Sequence, residues 1–184
     1  PLLARGKVLG GFGLTEPGAG SDASGTRTRA VREEDGWRLN GSKIFITHAG
    51  VGEIFTVTAV TSPERGSRGI TNFVVSKPTV DLDRTRALGV GHEPALEFTP
   101  GVRAGKKEDK LGWRSSDTRE LHLEDALVPL ENQLGEEGRG FINFMKTLDG
   151  GRVGVAALSL GLAQGAFDEA LRYTQERVQF GRKI

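Results

Sequence analysis

Nine consecutive residues, Leu14-Thr15-Glu16-Pro17-Gly18-Ala19-Gly20-Ser21-Asp22, gather groups suited to a phosphate or the edge of a planar cofactor. Pro17 presets φ for the second position of a type II turn, and Gly18 is expected at φ > 0 after it. Gly20 removes a second side chain, so the backbone can pass close to something bulky. Successive free N–H groups in such a bend form an anion-binding concavity, with the Ser21 hydroxyl at its rim. By itself a P-G-x-G run is more often a surface turn before a strand, so its neighbours decide its meaning.

The run is similar to the flavin-binding signature of the acyl-CoA dehydrogenases, L-T-E-P-x-A/G-G-S-D. Three further stretches resemble that family in the same order: N-G-S-K-I-F-I-T at 40–47, K-E-D-K-L-G-W-R at 107–114, and L-D-G-G-R at 148–152 running on to E-R-V-Q-F-G at 176–181. The resemblance implies FAD as cofactor and α,β-dehydrogenation of an acyl-CoA thioester. A glutamate takes the α-proton, the β-hydrogen leaves as hydride to flavin N5, and electrons pass to an electron-transferring flavoprotein. It implies flavin contacts from Phe12, Leu14, Thr15, Gly20, Ser21, Phe45, Ile46 and Thr47. The Thr47 hydroxyl would meet N5, where a donor stabilises the reduced form. Phe45 stands where relatives often carry Trp, and His48 where Asn is usual.

Acyl-CoA contacts are implied for Ser21, Asp149, Gly150, Gly151 and Arg152. Asp149 reads equally as the N-cap of a long helix, with the two glycines as spacers. Arg177 and Phe180 resemble residues that reach the FAD of a neighbouring subunit, in a homotetramer, and Glu108 resembles a position that helps dock the flavoprotein. Some members carry the catalytic glutamate at the position of Gly151; glycine cannot serve, so the base is expected past Ile184 and no catalytic residue is assigned within the chain. The chain resembles the middle of such an enzyme, incomplete at both ends and inactive alone. Two alternatives share the scaffold: an acyl-CoA oxidase or related flavin oxidase, and a non-catalytic binding module that has lost the flavin.

Composition narrows the classes independently. Twenty-five basic against 24 acidic residues give a net charge of +1, which argues against a general electrostatic grip on nucleic acid. No apolar run approaches the ~20 residues of a membrane span. Zero cysteines exclude disulfides and thiolate chemistry here and suit a cytoplasmic protein, and three scattered histidines lack metal-ligand spacing. No metal is expected.

The elements that must position these groups read as α+β, mainly β. Residues 1–10 read as the end of a truncated helical domain and a lead-in, 11–130 as an antiparallel β-barrel domain, and 136–184 as the first helices of an α-helical bundle. Thr26, Thr28, Ala30 and Arg32 alternate with Arg27, Arg29 and Val31, and Glu34-Asp35-Gly36 signals a hairpin. Asn40-Gly41 signals another turn. Strands are expected at 43–47, 54–60 and 70–76, with the last barrel strand at 119–125. Residues 79–105 read as an exposed insertion with a strand-like piece at 95–99; His92-Glu93 reads as solvated loop. From Arg152, Val153, Leu160, Phe167 and Thr174 recur every seven residues with Ala156, Ala163 and Ala170 between them, a helix seam made for close neighbours. A shorter helix is expected just before it.

Overall fold

The computed structural model describes residues 2–90 and 96–184. His92 and Glu93, with the start of the expected strand-like piece, lie outside them. The chain divides into two compact units, one through Ile142 and one from Asn143 to Ile184. Among the described residues, no helix is long and apolar enough to cross a membrane.

Eight strands form the sheet of the first unit: β1 (Gly10–Gly13), β2 (Arg29–Arg32), β3 (Gly36–Thr47), β4 (Ile54–Val60), β5 (Ile70–Ser76), β6 (Val102–Lys107), β7 (Thr118–Pro129) and β8 (Gln133–Leu134). Their order is β6-β7-β3-β2-β4-β5-β8, with β1 added alongside β4. The period-two reading holds from Thr26 to Val31, where Thr26, Thr28 and Ala30 are buried while Arg27, Arg29 and Val31 are exposed, and fails at Arg32, which is exposed like Val31 where β2 enters the hairpin. Glu33 N–H donates to the Gly36 carbonyl at 2.9 Å and closes the β2–β3 hairpin.

The expected antiparallel barrel is corrected to an open, mixed sheet. β6 and β8 end the strand order without pairing to each other, and β4 pairs parallel with both β1 and β2, the latter through the single pair Arg29↔Val60. The sheet nevertheless folds over its own core. Three strand steps of about 4.8 Å separate β3 from β5 along a flat sheet, yet the Trp37 and Phe73 rings meet edge to face at 5.4 Å. Leu39, Phe55, Val57, Val75, Leu121 and Leu123 complete the buried layer between the two halves.

Local expectations change in four places. Gly18 is not at positive φ, so Glu16–Ala19 is not a type II turn; two backbone bonds between Glu16 and Ala19, at 3.0 and 3.1 Å, close it instead. Asn40-Gly41 makes no turn and lies inside β3, where a Cβ on Gly41 would overlap the Thr28 side chain, so the glycine permits close approach. The 79–105 stretch is only partly an excursion. It contains a helix, α1 (Leu82–Leu88), capped by Asp81, and its end enters β6, which pairs with β7. Residues 96–99 form no strand. The strand expected at 119–125 runs from Thr118 to Pro129 and is not the last, because β8 follows it.

In the second unit, a shorter helix followed by a long one is corrected to one continuous helix, α2 (Gly140–Glu176), 37 residues long, whose start belongs to the first unit. Asp149 is therefore no N-cap. It lies within the helix and pairs with Arg152 one turn on, Nη1 to Oδ1 at 2.6 Å. Gly150 and Gly151 are tolerated because the flanking turns propagate the hydrogen-bond ladder. Two short strands, β9 (Val178–Gln179) and β10 (Arg182–Lys183), close the unit as a hairpin. Its two tip residues, Phe180 and Gly181, have φ of 50° and 76°. That is the type I′ pattern, with a phenylalanine in a conformation that usually selects Gly or Asn.

Candidate cofactor and substrate site

The segment after β1 is tied to β3 by a buried ion pair. Lys43 has the inward parity of Trp37 and Leu39 on β3 and is 0% exposed. Its Nζ donates to Glu16 Oε1 at 2.7 Å, to Thr58 Oγ1 at 3.0 Å, to Thr26 Oγ1 at 3.2 Å and to the Leu14 carbonyl at 3.4 Å. Glu16 also accepts from the Thr26 hydroxyl and from the N–H groups of Arg27 and Thr28, at 2.6 and 3.0 Å. Its carboxylate is thus fully engaged, as a buried charge requires. Burial would raise the Glu16 carboxyl; the Lys43 ammonium and the hydrogen bonds from Lys43, Thr26 and Thr28 outweigh burial and hold its pKa at about 2. Burial pushes Lys43 down to about 8 against the pull of Glu16. Ile44 N–H donates to the Thr15 carbonyl at 2.9 Å, so Leu14 and Thr15 lie against the strand that carries Phe45, Ile46 and Thr47.

That strand is bulged at the same place. Lys43 faces Leu121 and Ile46 faces Arg119, so Ile44 and Phe45 together oppose Glu120 alone. Phe45 takes φ 59° and turns its ring outward, 60% exposed, while Ile46 is buried and Thr47 exposed. A bulge re-aims a side chain in this way. A bulky residue in the left-handed region carries backbone strain, here at a ring that buries little. Gly11 on β1 packs beneath, where a Cβ would strike the Phe55 ring and the Thr47 carbonyl.

His48 follows at φ 65°. His is among the residues enriched there, as is the Asn usual in relatives. Its Nδ1 lies 2.9 Å from the Gly10 carbonyl, which can only accept, so Nδ1 carries the proton and joins this turn to β1.

The structure thus brings Phe12, Leu14, Thr15, Phe45, Ile46 and Thr47 together on β1, its following segment and β3. Gly20 and Ser21 are exposed on the same loop, with open space where a Gly20 Cβ would be. Asp149, Gly150, Gly151, Arg152, Arg177 and Phe180 belong to the second unit. There Arg177 Nη1 donates to the Tyr173 hydroxyl at 2.7 Å, and Phe180 is fully exposed at the hairpin tip. No group of three or more metal-ligating side chains occurs among the described residues. Glu16 and Lys43 fall within the motifs of the sequence, which by themselves assign neither a role. The available signal was a lysine at an inward β position, which demands a partner.

The donor set fits a flat, acceptor-rich cofactor. Among the described residues, the hydroxyls of Thr15, Ser21 and Thr47 have no protein partner, and Phe45 offers an uncovered ring beside Thr47. Unspent donors beside an exposed aromatic are what an isoalloxazine edge and face would take up.

Comparison with known proteins gives the family. Residues 11–126 match the acyl-CoA dehydrogenase middle domain and residues 138–184 the acyl-CoA dehydrogenase C-terminal domain. The chain is 48% identical over 183 residues to a short-chain-specific acyl-CoA dehydrogenase of Megasphaera elsdenii, covering 99% of this chain and 43% of that protein. It superposes on the butyryl-CoA dehydrogenase structure from Megasphaera elsdenii with TM-score 0.85 at 47% identity, over 99% of this chain and 43% of that one. A structure described as the electron transferring flavoprotein of Acidaminococcus fermentans gives TM-score 0.85 at 46% identity, again covering 99% and 43%. The chain belongs to the acyl-CoA dehydrogenase family, and it spans about 43% of the length of these relatives.

Proposed function

We infer that the protein to which these 184 residues belong is an FAD-dependent acyl-CoA dehydrogenase that passes electrons to an electron-transferring flavoprotein. The observation carrying this is the bulge in β3, which leaves the Phe45 ring and the Thr47 hydroxyl uncovered beside the Thr15 segment. FAD, when bound, supplies the acceptor for the substrate's β-hydride. Thr47 donates a hydrogen bond at the reacting edge, Phe45 shields it from water, and Leu14, Thr15, Gly20 and Ser21 line the cofactor's flank. Phe12 and Ile46 support that surface from β1 and β3. Ser21 and the Asp149–Arg152 turn contact the thioester's carrier arm. Arg152, paired with Asp149 one turn earlier, presents an exposed guanidinium to that arm.

Arg177 and Phe180 serve the FAD of a neighbouring subunit in a tetramer; the strained, fully exposed Phe180 supports a contact made outside this unit. The general base comes from outside these residues, because Gly151 offers no carboxylate. Residues 11–130 act as the flavin-holding domain and those from 136 as the start of a helical domain. The apolar positions Val153, Leu160 and Phe167 are more than 60% exposed and suit other helices of the full-length protein. The short-chain name of the M. elsdenii relative supports a short acyl group as substrate.

Visible absorbance of the full-length protein, before and after anaerobic addition of a C4 acyl-CoA, tests the reading. A flavin spectrum that bleaches is expected. A yellow protein that stays yellow removes the thioester as substrate, and a colourless one supplied with FAD removes the flavin. Rapid reoxidation in air would move the assignment to an oxidase.

A further inference from the structure

The turn that follows Thr47 is held from beneath by charged groups that the flavin contacts do not involve. The side chain of Asp117 is 0% exposed. Its Oδ2 accepts from Gly50 N–H at 2.6 Å, and its main-chain carbonyl accepts from His48 N–H at 2.8 Å. Arg119 Nε donates to Asp117 Oδ1 at 3.0 Å, and its Nη2 lies 3.4 Å from Asp81 Oδ2. The N–H groups of Val80 and Asp81 donate to the Gly50 carbonyl at 2.8 and 3.3 Å, while Asp81 Oδ1 caps α1. Both polar groups of the Gly50 backbone are therefore fixed, and a Cβ there would strike the Arg119 guanidinium. Lys77 Nζ grips the far end of the turn, donating to the Gly52 carbonyl at 3.1 Å.

This cluster differs from a purely stabilising one in what it holds. Apart from its links to Arg119 and α1, its bonds go to the main chain of a single turn, not to the hydrophobic layer. Among the described residues the Thr47 hydroxyl has no protein partner of its own, so its position depends on that backbone. We propose that Asp117, oriented by Arg119, is a positioning residue that fixes the Thr47 hydroxyl against bound flavin. The proposal rests on the flavin reading above. Asp117 is a positioning residue whose side chain acts through the Gly50 backbone; the His48 bond is made by its main-chain carbonyl, which substitution leaves in place.

The test uses the full-length, FAD-loaded protein and compares Asp117→Asn, Thr47→Ala and the double variant with wild type. Asp117→Asn is expected to lose kcat by on the order of 10²-fold with little change in KM, as a small misplacement remote from the chemistry can cause. Its flavin midpoint potential should become more negative, since a hydrogen bond to the reduced form is lost. The double variant should be no worse than Thr47→Ala, because residues acting through one another are not additive. A wild-type potential together with additive losses would overturn the proposal and leave Asp117 a stabilising residue. If Asp117→Asn does not fold, Arg119→Lys, which keeps the charge but loses the fork, carries the same three comparisons. Wild-type flavin that no thioester bleaches would fail the functional reading itself, and this proposal with it; a bleached wild type makes the variant comparison decisive on Asp117 alone.

Discussion

Lys43 and Glu16 together show how one residue pair serves both the fold and the site. Each would be costly alone at such burial, and together they tie the Leu14–Ser21 segment to β3. Removing one partner leaves an unpaired buried charge, so Lys43→Met should destabilise by about 3–5 kcal/mol. Combining Lys43→Met with Glu16→Gln should cost much less, as urea unfolding of wild type, single and double variants would show. The same pair sets a pH dependence. Glu16 is depressed from 4.5 to about 2 in the folded state, so its stabilisation is present above about 4.5 and is lost as pH falls toward 2. Wild type should lose stability more steeply than the double variant between those pH values; parallel acid limbs would contradict the assignment.

At the scale of elements, two irregularities fall within the proposed contacts. The β3 bulge sets Phe45 at φ 59°, a conformation that costs a non-glycine residue about 1–2 kcal/mol. Phe45→Gly should therefore hold or raise the stability of the sheet while weakening flavin binding. Thermal melting and FAD titration moving in opposite directions would confirm that strain is kept for function. The second irregularity is the glycine pair inside α2. A Cβ at Gly150 or Gly151 meets nothing within 4 Å in this chain. Alanine at either should gain about 1 kcal/mol of helix stability, visible in circular dichroism. In the full-length protein the same changes should raise KM if the Asp149–Arg152 turn lies along the substrate.

At the scale of the whole molecule, the proposed flavin contacts are divided between copies of the chain. Arg177 and Phe180 are assigned to another subunit's cofactor, so the 184 residues alone should bind FAD weakly. A dissociation constant tighter than about 1 µM by isothermal titration would contradict this; that affinity corresponds to about −8 kcal/mol. The helix tells the same story. Its seven-residue seam is apolar yet exposed in this chain, and such a surface calls for cover.

What the sequence determined by itself was local and periodic. The spans 54–60 and 70–76 match β4 and β5 residue for residue, because a short apolar run and the polar or proline residues that bound it act over a few neighbours. The order of four motifs was enough to place the chain in its family. Tertiary structure decided the rest. Asn40-Gly41 has strong turn chemistry, yet pairing with β7 keeps it in a strand, where Asn40 Nδ2 reaches Asp125 Oδ1 at 3.0 Å. Asp149 has a capping side chain, yet helix on both sides absorbs it. Whether the sheet closed depended on β6 and β8, two strands that no local pattern had marked. The outward turn of Phe45 needed an extra residue measured against β7, and the fixing of the Thr47 turn needed Asp117, 70 positions later in the chain. Those outcomes are set by which segments meet across the sheet, and local propensity does not encode that.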